Sequence, residues 1–281
     1  MRTAASRPYR LENPMDVYLT DCMKQLAPAW GVCDFDWVAG QLRPCAAKKR
    51  LPEGSRSILV ALFPYYLGEA VYEGANLARY AVVPDYHQVA GARLEAACAA
   101  LSARYAGEQF VPFVDDSPIP EVSAAVRAGL GLRGRHNLLI HPVYGSYVFL
   151  GEIVTTLALP PTAAADITPC LSCGRCAAAC PNAALPSNGF IRERCLSHIT
   201  QKPGELTAEE NRLLRESGCA WGCDLCQTAC PQNETAALTT LPEFLSDNRP
   251  KAHPGESCAG RAYAWRGQTA IERNLKIINY S

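Results

Sequence analysis

The chain has 281 residues, 48% of them hydrophobic and 19% charged, with 27 basic and 27 acidic side chains. This composition supports one large or two modest folded domains and excludes a disordered chain, while the balanced charge gives no general attraction for polyanions or anionic membranes. No apolar run approaches the roughly 18 residues of a membrane-spanning helix, and the opening MRTAASRPYRLENP has neither a secretory apolar core nor an Arg-Arg pair, so the expected setting is cytoplasmic, away from membranes.

Residues 1–162 read as a mixed α/β domain. Residues 16–26 form a short helical candidate. The continuous apolar run SILVALF at 57–63 suits a buried strand. Pro84-Asp-Tyr-His87 precedes an alanine-rich stretch, 89–105, with helical apolar spacing. Residues 110–114 suit a short strand. Residues 118–128 suit a helix with proline in its first turn and Gly129 as its stop. Strands are expected at 136–140 and 147–159, around the turn Pro142-Val-Tyr-Gly145. Gly129-Leu-Gly131-Leu-Arg-Gly134 spells G-x-G-x-x-G, but it follows a helix rather than a strand, which argues against a dinucleotide turn. Pro160-Pro161-Thr-Ala-Ala-Ala165 reads as a linker. A cysteine-rich domain at 163–238 and a short tail at 239–281, helical over 264–278, complete the chain.

Of the 14 cysteines, Cys22, Cys33, Cys45, Cys98 and Cys258 are scattered and read as packing thiols. The others fall between residues 170 and 230, and in a reducing compartment such clustering points to metal rather than to disulfides. The segment CLSCGRCAAACP, from Cys170 to Pro181, has the pattern C-x2-C-x2-C-x3-C-P, and Cys223-Asp-Leu-Cys226-Gln-Thr-Ala-Cys230-Pro231 repeats its last part. Zinc sites present separate C-x2-C knuckles. A triple run closed by proline is the pattern of two-cluster ferredoxins, in which the fourth cysteine reaches across to the other [4Fe–4S] cluster. Cys170, Cys173, Cys176 and Cys230 then hold one cluster, and Cys180, Cys223 and Cys226 hold three corners of the second. Cys195 or Cys219 completes it, and spacing alone slightly favours Cys219. Two adjacent clusters form an electron wire, so the first domain should carry a redox centre or dock to one.

Several further segments, in order over roughly residues 57–235, resemble the bacterial epoxyqueuosine reductases. They are Arg79-Tyr-Ala81 with Asp85-Tyr-His87; Phe113-Val-Asp115-Asp-Ser-Pro118 with Glu121; Ala128-Gly-Leu-Gly131 with Gly134; Gly145-Ser-Tyr-Val-Phe-Leu-Gly-Glu152; and Arg194-Cys-Leu-Ser197. The resemblance implies an α+β chain: a nitroreductase-like α/β domain that binds cobalamin, related to reductive dehalogenases, followed by a ferredoxin-like domain with two [4Fe–4S] clusters, the first nearest the cobalt. It implies reduction of an epoxide on a modified tRNA anticodon base to an alkene, the last step of queuosine synthesis, with electrons from an external donor such as ferredoxin or flavodoxin. It assigns Cys195 to the second cluster and makes Asp115 the proton donor.

Such a donor makes chemical sense, because the departing epoxide oxygen must be protonated and a carboxyl in a partly dry pocket can have its pKa raised. The alternative for Asp115, and more so for Asp116, is helix capping. By the same resemblance Leu139 and Leu150 contact the corrinoid, Arg135 stands where a lysine is common, Ser197 matches the Arg-Cys-x-Ser serine, and Tyr80 and His87 lie in a matched pocket segment. His87 at a helix start is equally a capping residue, and Tyr144 and Tyr147 read as packing. The chain stops soon after a segment, 264–275, that looks like the start of the family's helical-repeat domain. It therefore reads as a short form that keeps the cofactor chemistry and grips tRNA weakly. Two further readings are a cobalamin-dependent reductase of a free nucleoside, epoxide or halide, and an iron–sulfur electron carrier without corrinoid.

Overall fold

A computed structural model describes residues 16–162 and 169–279. The N-terminal segment free of signal features and the last part of the expected linker, residues 163–165, lie outside the described residues. Strands β1 (Ala29–Asp34), β2 (Ser57–Pro64), β3 (Phe110–Phe113) and β6 (Val148–Thr155) form an antiparallel sheet in the order β1-β2-β6-β3. Strands β4 (Leu132–Arg133) and β5 (Leu139–Ile140) make a separate small hairpin. The helices are α1 (Val17–Leu26), α2 (Asp36–Ala39), α3 (Arg79–Val82), α4 (Tyr86–Arg104), α5 (Glu121–Arg127), α6 (Arg175–Ala178), α7 (Leu196–Thr200), α8 (Ala208–Ser217), α9 (Leu225–Thr228), α10 (Pro242–Leu245) and α11 (Gln268–Asn279).

The continuous apolar run of β2 follows from its position. Leu59, Ala61 and Phe63 pack on one face with α1 and α4, while Ile58, Val60 and Leu62 pack on the other with α5. A strand covered on both faces has no polar side to alternate with. Strand β1 carries no comparable run and escaped the sequence reading. Its Gly31 is required by contact: a Cβ there would lie 2.2 Å from the carbonyl oxygen of Ala128, where α5 ends.

Helix boundaries shift in two informative places. Helix α4 starts at Tyr86 rather than Val89, capped by Asp85, whose carboxylate accepts from the His87 N–H at 3.0 Å. Helix α5 starts at Glu121 rather than Pro118, so the Asp115–Asp116 pair lies in the connecting loop. The strand expected at 136–140 shrinks to Leu139–Ile140. The glycines before it serve that tight hairpin: Gly131 has φ +153°, and a Cβ would meet the Ile140 carbonyl oxygen at 2.3 Å.

The cysteine-rich segment is not a bead on a string. Trp221, fully buried, packs with Leu77, Ala81 and Val82 from the first half and with Ile271 and Leu275 of α11. Asn274 of α11 donates to the carbonyls of Thr200 and Ala220. Leu241 and Phe244, on and beside α10, join the core beneath the sheet.

A buried polar lock ties the two halves together. Asn233 Oδ1 accepts from the Ser146 N–H at 2.7 Å, and Asn233 Nδ2 donates to Ser146 Oγ and to the Gln227 carbonyl. Gln227 Nε2 reaches Ser146 Oγ, the Ser146 carbonyl and Tyr65 Oη. Asn233→Ala is expected to cost about 1–3 kcal/mol for each buried group left unpaired, read as a lower thermal midpoint of anaerobically prepared protein. Thr228→Ala, on the exposed flank of α9, should stay within about 0.5 kcal/mol of the parent.

Candidate active site and metal centres

The cysteines gather into two quartets. Cys170, Cys173, Cys176 and Cys230 line a small cavity of about 20 Å³ with Arg135, His136 and Ile140. Cys180, Cys195, Cys223 and Cys226 line a larger one of about 370 Å³. Left-handed Gly174, at φ +77°, opens the short helix α6 and turns the backbone around the first quartet. Cys219 faces elsewhere: it lines a different cavity beside Arg79 and Asp224, and its thiol donates to the Trp221 carbonyl at 3.3 Å. The geometry therefore groups Cys195, not Cys219, with Cys180, Cys223 and Cys226, against the preference from spacing.

The quartets suit clusters. Zinc sites present separate C-x2-C knuckles, whereas each quartet here mixes cysteines of the 170–180 run with cysteines of the 223–230 run, as paired clusters do. Burial pushes the Cys223 thiol up to about 12 and raises Cys226 as well. Bound cations are what would hold such thiols as thiolates. Burial also raises the Cys176 thiol, partly offset by the Ala177 N–H and the nearby charge of Arg135.

The larger cavity is mostly apolar and aromatic. Tyr65, Tyr80, Tyr86, Phe149, Leu196 and Ser197 are among its walls. It shares Tyr86, Leu138, Ser146, Val148 and Phe149 with an adjoining cavity of about 200 Å³ that contains Asp115, Glu121, Leu139 and Leu150. One trough thus runs from Asp115 to the second quartet. The resemblance places the first cluster nearest the corrinoid; in this fold the second quartet opens onto the trough. Tyr80 and Ser197 lie at its cysteine end, and Leu139 and Leu150 at its Asp115 end. Arg135 stands apart with the first quartet, and His87 sits behind Asp115. Such a trough fits a flat, largely apolar macrocycle.

Asp115 caps no helix. It and Asp116 hold φ of +48° and +29°, a region that non-glycine residues seldom adopt. The loop is held from outside: Arg43 N–H donates to the Pro118 carbonyl, Arg50 to the Pro112 carbonyl, and Cys45 Sγ weakly to the Asp116 carbonyl. Asp115 Oδ2 accepts from Tyr86 Oη at 2.8 Å and lies 3.3 Å from His87 Nε2. His87 Nδ1 lies 2.7 Å from Asp85 Oδ1. Both ring nitrogens therefore face carboxylates, which an imidazolium satisfies and a neutral ring does not.

The charge states follow. Hydrogen bonding to His87 is the main cause that lowers Asp115 to about 2, outweighing burial, with Tyr86 adding to it. Burial pulls His87 down, but its bonds to Asp115 and Asp85 outweigh that and lift it to about 9. This corrects the expectation of a raised Asp115: at neutral pH the proton sits on His87, and Asp115 is a carboxylate. The Asp115 side chain is 60% exposed, so solvent screens the pair. Tyr86, raised by burial and by Asp115, stays protonated. The sequence reading missed Tyr86 as Asp115's partner: it began the helix at Val89, and only the Asp85 cap places Tyr86 and His87 in the first turn of α4.

Two family models match the chain. Residues 46–116 match "Epoxyqueuosine reductase QueG, DUF1730", and residues 169–233 match a 4Fe-4S double cluster binding domain. The epoxyqueuosine reductase of Listeria monocytogenes serovar 1/2a is 35% identical over 208 residues, covering 69% of this chain and 54% of that protein. That of Gloeobacter violaceus is 40% identical over 185 residues, covering 64% and 57%. The chain thus spans little more than half the length of these relatives. Among solved structures, an epoxyqueuosine reductase with a tRNA-Tyr epoxyqueuosine-modified stem loop superposes with a TM-score of 0.77 at 24% identity, over 92% of this chain and 79% of that one, a likeness of fold. No helix among the described residues is long and apolar enough to cross a membrane. With both halves matched in order, the same α+β fold, and a double-cluster segment joined to the Asp115 pocket, the chain belongs to the epoxyqueuosine reductase family.

Proposed function

We propose that this chain is a cytoplasmic, corrinoid- and iron–sulfur-dependent reductase that removes the epoxide oxygen of epoxyqueuosine in a tRNA anticodon. The observation that carries the reading is the single trough joining a hydrogen-bonded, solvent-accessible Asp115 to a quartet of cysteines. An electron carrier alone has no use for an acid–base pair at the end of its wire. Cys170, Cys173, Cys176 and Cys230 would hold one [4Fe–4S] cluster, and Cys180, Cys195, Cys223 and Cys226 the other. Tyr80, Ser197, Leu139 and Leu150 would line the corrinoid, which supplies strongly reducing electrons when bound. Electrons would come from a ferredoxin or flavodoxin and reach the trough through the second quartet.

The chain's own contribution is the proton. His87, an imidazolium gripped between Asp85 and Asp115, is the store. Asp115 is the carrier, exposed on the trough side and held by Tyr86. As negative charge builds on the departing oxygen, the proton moves from His87 Nε2 through Asp115 Oδ2 to that oxygen. The aromatic walls of Tyr86 and Phe149 offer a flat base a stacking surface.

Anaerobically reconstituted protein should contain about eight iron atoms per chain, as two cubanes require. Cys195→Ala should lose about half of them, whereas Cys219→Ala should keep all; the opposite pattern would overturn the assignment of the eighth ligand. Asp115→Asn should retain iron and bind cob(II)alamin about one to one, yet turn over an epoxyqueuosine-bearing anticodon stem-loop about 100-fold more slowly, the usual scale for a lost general acid. Product is read by mass spectrometry as loss of one oxygen atom. Because His87 is raised, its proton is available at lower pH and is lost as pH rises through about 9. The wild-type rate should therefore show an alkaline limb near that pH, and His87→Asn should abolish it. Absence of any oxygen loss from the stem-loop by corrinoid-loaded wild type would defeat the proposed function.

A further inference from the structure

Removing an epoxide oxygen as water needs two protons, and the His87–Asp115 pair stores one. Behind that pair lie two acids with no role so far. Glu152 sits on β6, the strand between β2 and β3, where its Cα pairs with Phe113, two residues before Asp115. Its side chain is fully buried, and neither carboxylate oxygen has a hydrogen-bond partner among the described residues. A buried carboxylate left in that state would be costly, and a neutral carboxylic acid is the form such a site favours. Glu121, the first residue of α5, lines the same cavity as Asp115. The charge of Glu121 lies close enough to raise Glu152.

We propose that Glu121 and Glu152 form an internal proton store beneath the Asp115 loop that supplies the second proton of the reaction. This rests on the epoxide-reducing role proposed above. In the balanced step both C–O bonds of the epoxide break and a C=C bond forms. Two electrons arrive from an external low-potential iron–sulfur or flavin donor. One proton comes from His87 through Asp115 and one from Glu121, and the oxygen leaves as water. Glu152 then returns a proton to Glu121.

The surroundings are consistent with storage in the neutral form. Burial, and then the charge of Asp115, raise Glu121 to about 7, against the opposing pull of Arg43 and His87. Burial, then Glu121 and Asp115, raise Glu152 well above the usual carboxylate range, with Arg43 the only opposing cation. Of the elements packed against α5, β6 brings Glu152, and β4 brings Arg133, whose guanidinium is engaged with Ser123 Oγ. Strand β1 and helix α2 bring Cys33, Asp34 and Asp36 to the far end of α5, where Arg127 lies. Strands β2 and β5 present apolar side chains. Among the described residues no cation makes an ion pair with either glutamate.

The test uses cluster- and corrinoid-loaded protein. Without substrate at neutral pH, the infrared spectrum should contain a protonated-carboxyl stretch that shifts in D2O and is lost in Glu152→Gln. With the epoxyqueuosine stem-loop, the wild-type rate should fall first as pH rises through about 7, where Glu121 gives up its proton, and again near 9. Glu121→Gln should lower kcat by about 100-fold, the low end for a lost proton donor, leave KM unchanged, and remove the limb near 7 while keeping that near 9. Should Glu152→Gln fail to load iron, the Glu121→Gln profile decides alone. Absence of the carboxyl band, or a Glu121→Gln profile that retains the limb near 7, overturns the store. If wild type does not reduce epoxyqueuosine at all, the function proposed above fails, while the infrared band still reports whether the neutral acids exist.

Discussion

The hydrogen-bonded lock among Ser146, Gln227 and Asn233 is the constraint on which the rest depends. Gln227 lies between Cys226 and Cys230, and Ser146 lies just before β6, so one buried network fixes the second cysteine quartet against the floor of the trough. Such a network is costly when incomplete and specifying when complete. It also explains Gly145. That residue has φ +56°, and a Cβ would fall 2.2 Å from Asn233 Oδ1, so any side chain would wedge the halves apart. The distance between the second cysteine quartet and the trough is thus set by side-chain amides in the protein core.

A second constraint is electrostatic. Four acids and one histidine meet around the Asp115 loop, yet they do not share one fate. Asp85 and Asp115 flank His87 and are partnered. Glu121 and Glu152 are deeper and have no cationic partner of their own, so burial drives them toward the neutral form. The fold thus pushes Asp115 down and Glu121 and Glu152 up, and carboxyl groups driven apart in this way are what acid–base chemistry at neutral pH draws on. The loop that carries Asp115 is strained at two consecutive residues and fastened by Arg43, Cys45 and Arg50. Its conformation is therefore imposed by tertiary contacts and not by local preference.

Much was legible in the chain itself. The apolar run of β2 and the alanine-rich body of α4 have local physical causes, and so their elements could be read directly. The grouping of seven cysteines around two cavities was legible, because short-loop spacing restricts which thiols can lie together. Strand β1 was not legible, since six residues containing a glycine become a strand only when β2 offers an edge. The place of Cys195 was not legible from spacing either: it is 28 residues from Cys223, and only the packing of α7 brings it to that cavity while Cys219 turns toward the backbone of Trp221.

The sequence by itself determined the family and the double run of cysteines, because each is a matter of residue type and short-range spacing. Tertiary structure alone decided which state those residues occupy. The pKa of Asp115 is lowered rather than raised because His87 and Tyr86, nearly thirty residues earlier, converge on it. The second quartet opens onto the trough because Gln227 is locked to Ser146 across 81 residues. Charge state and electron path depend on distances between segments remote in the chain, and a linear pattern does not contain those distances.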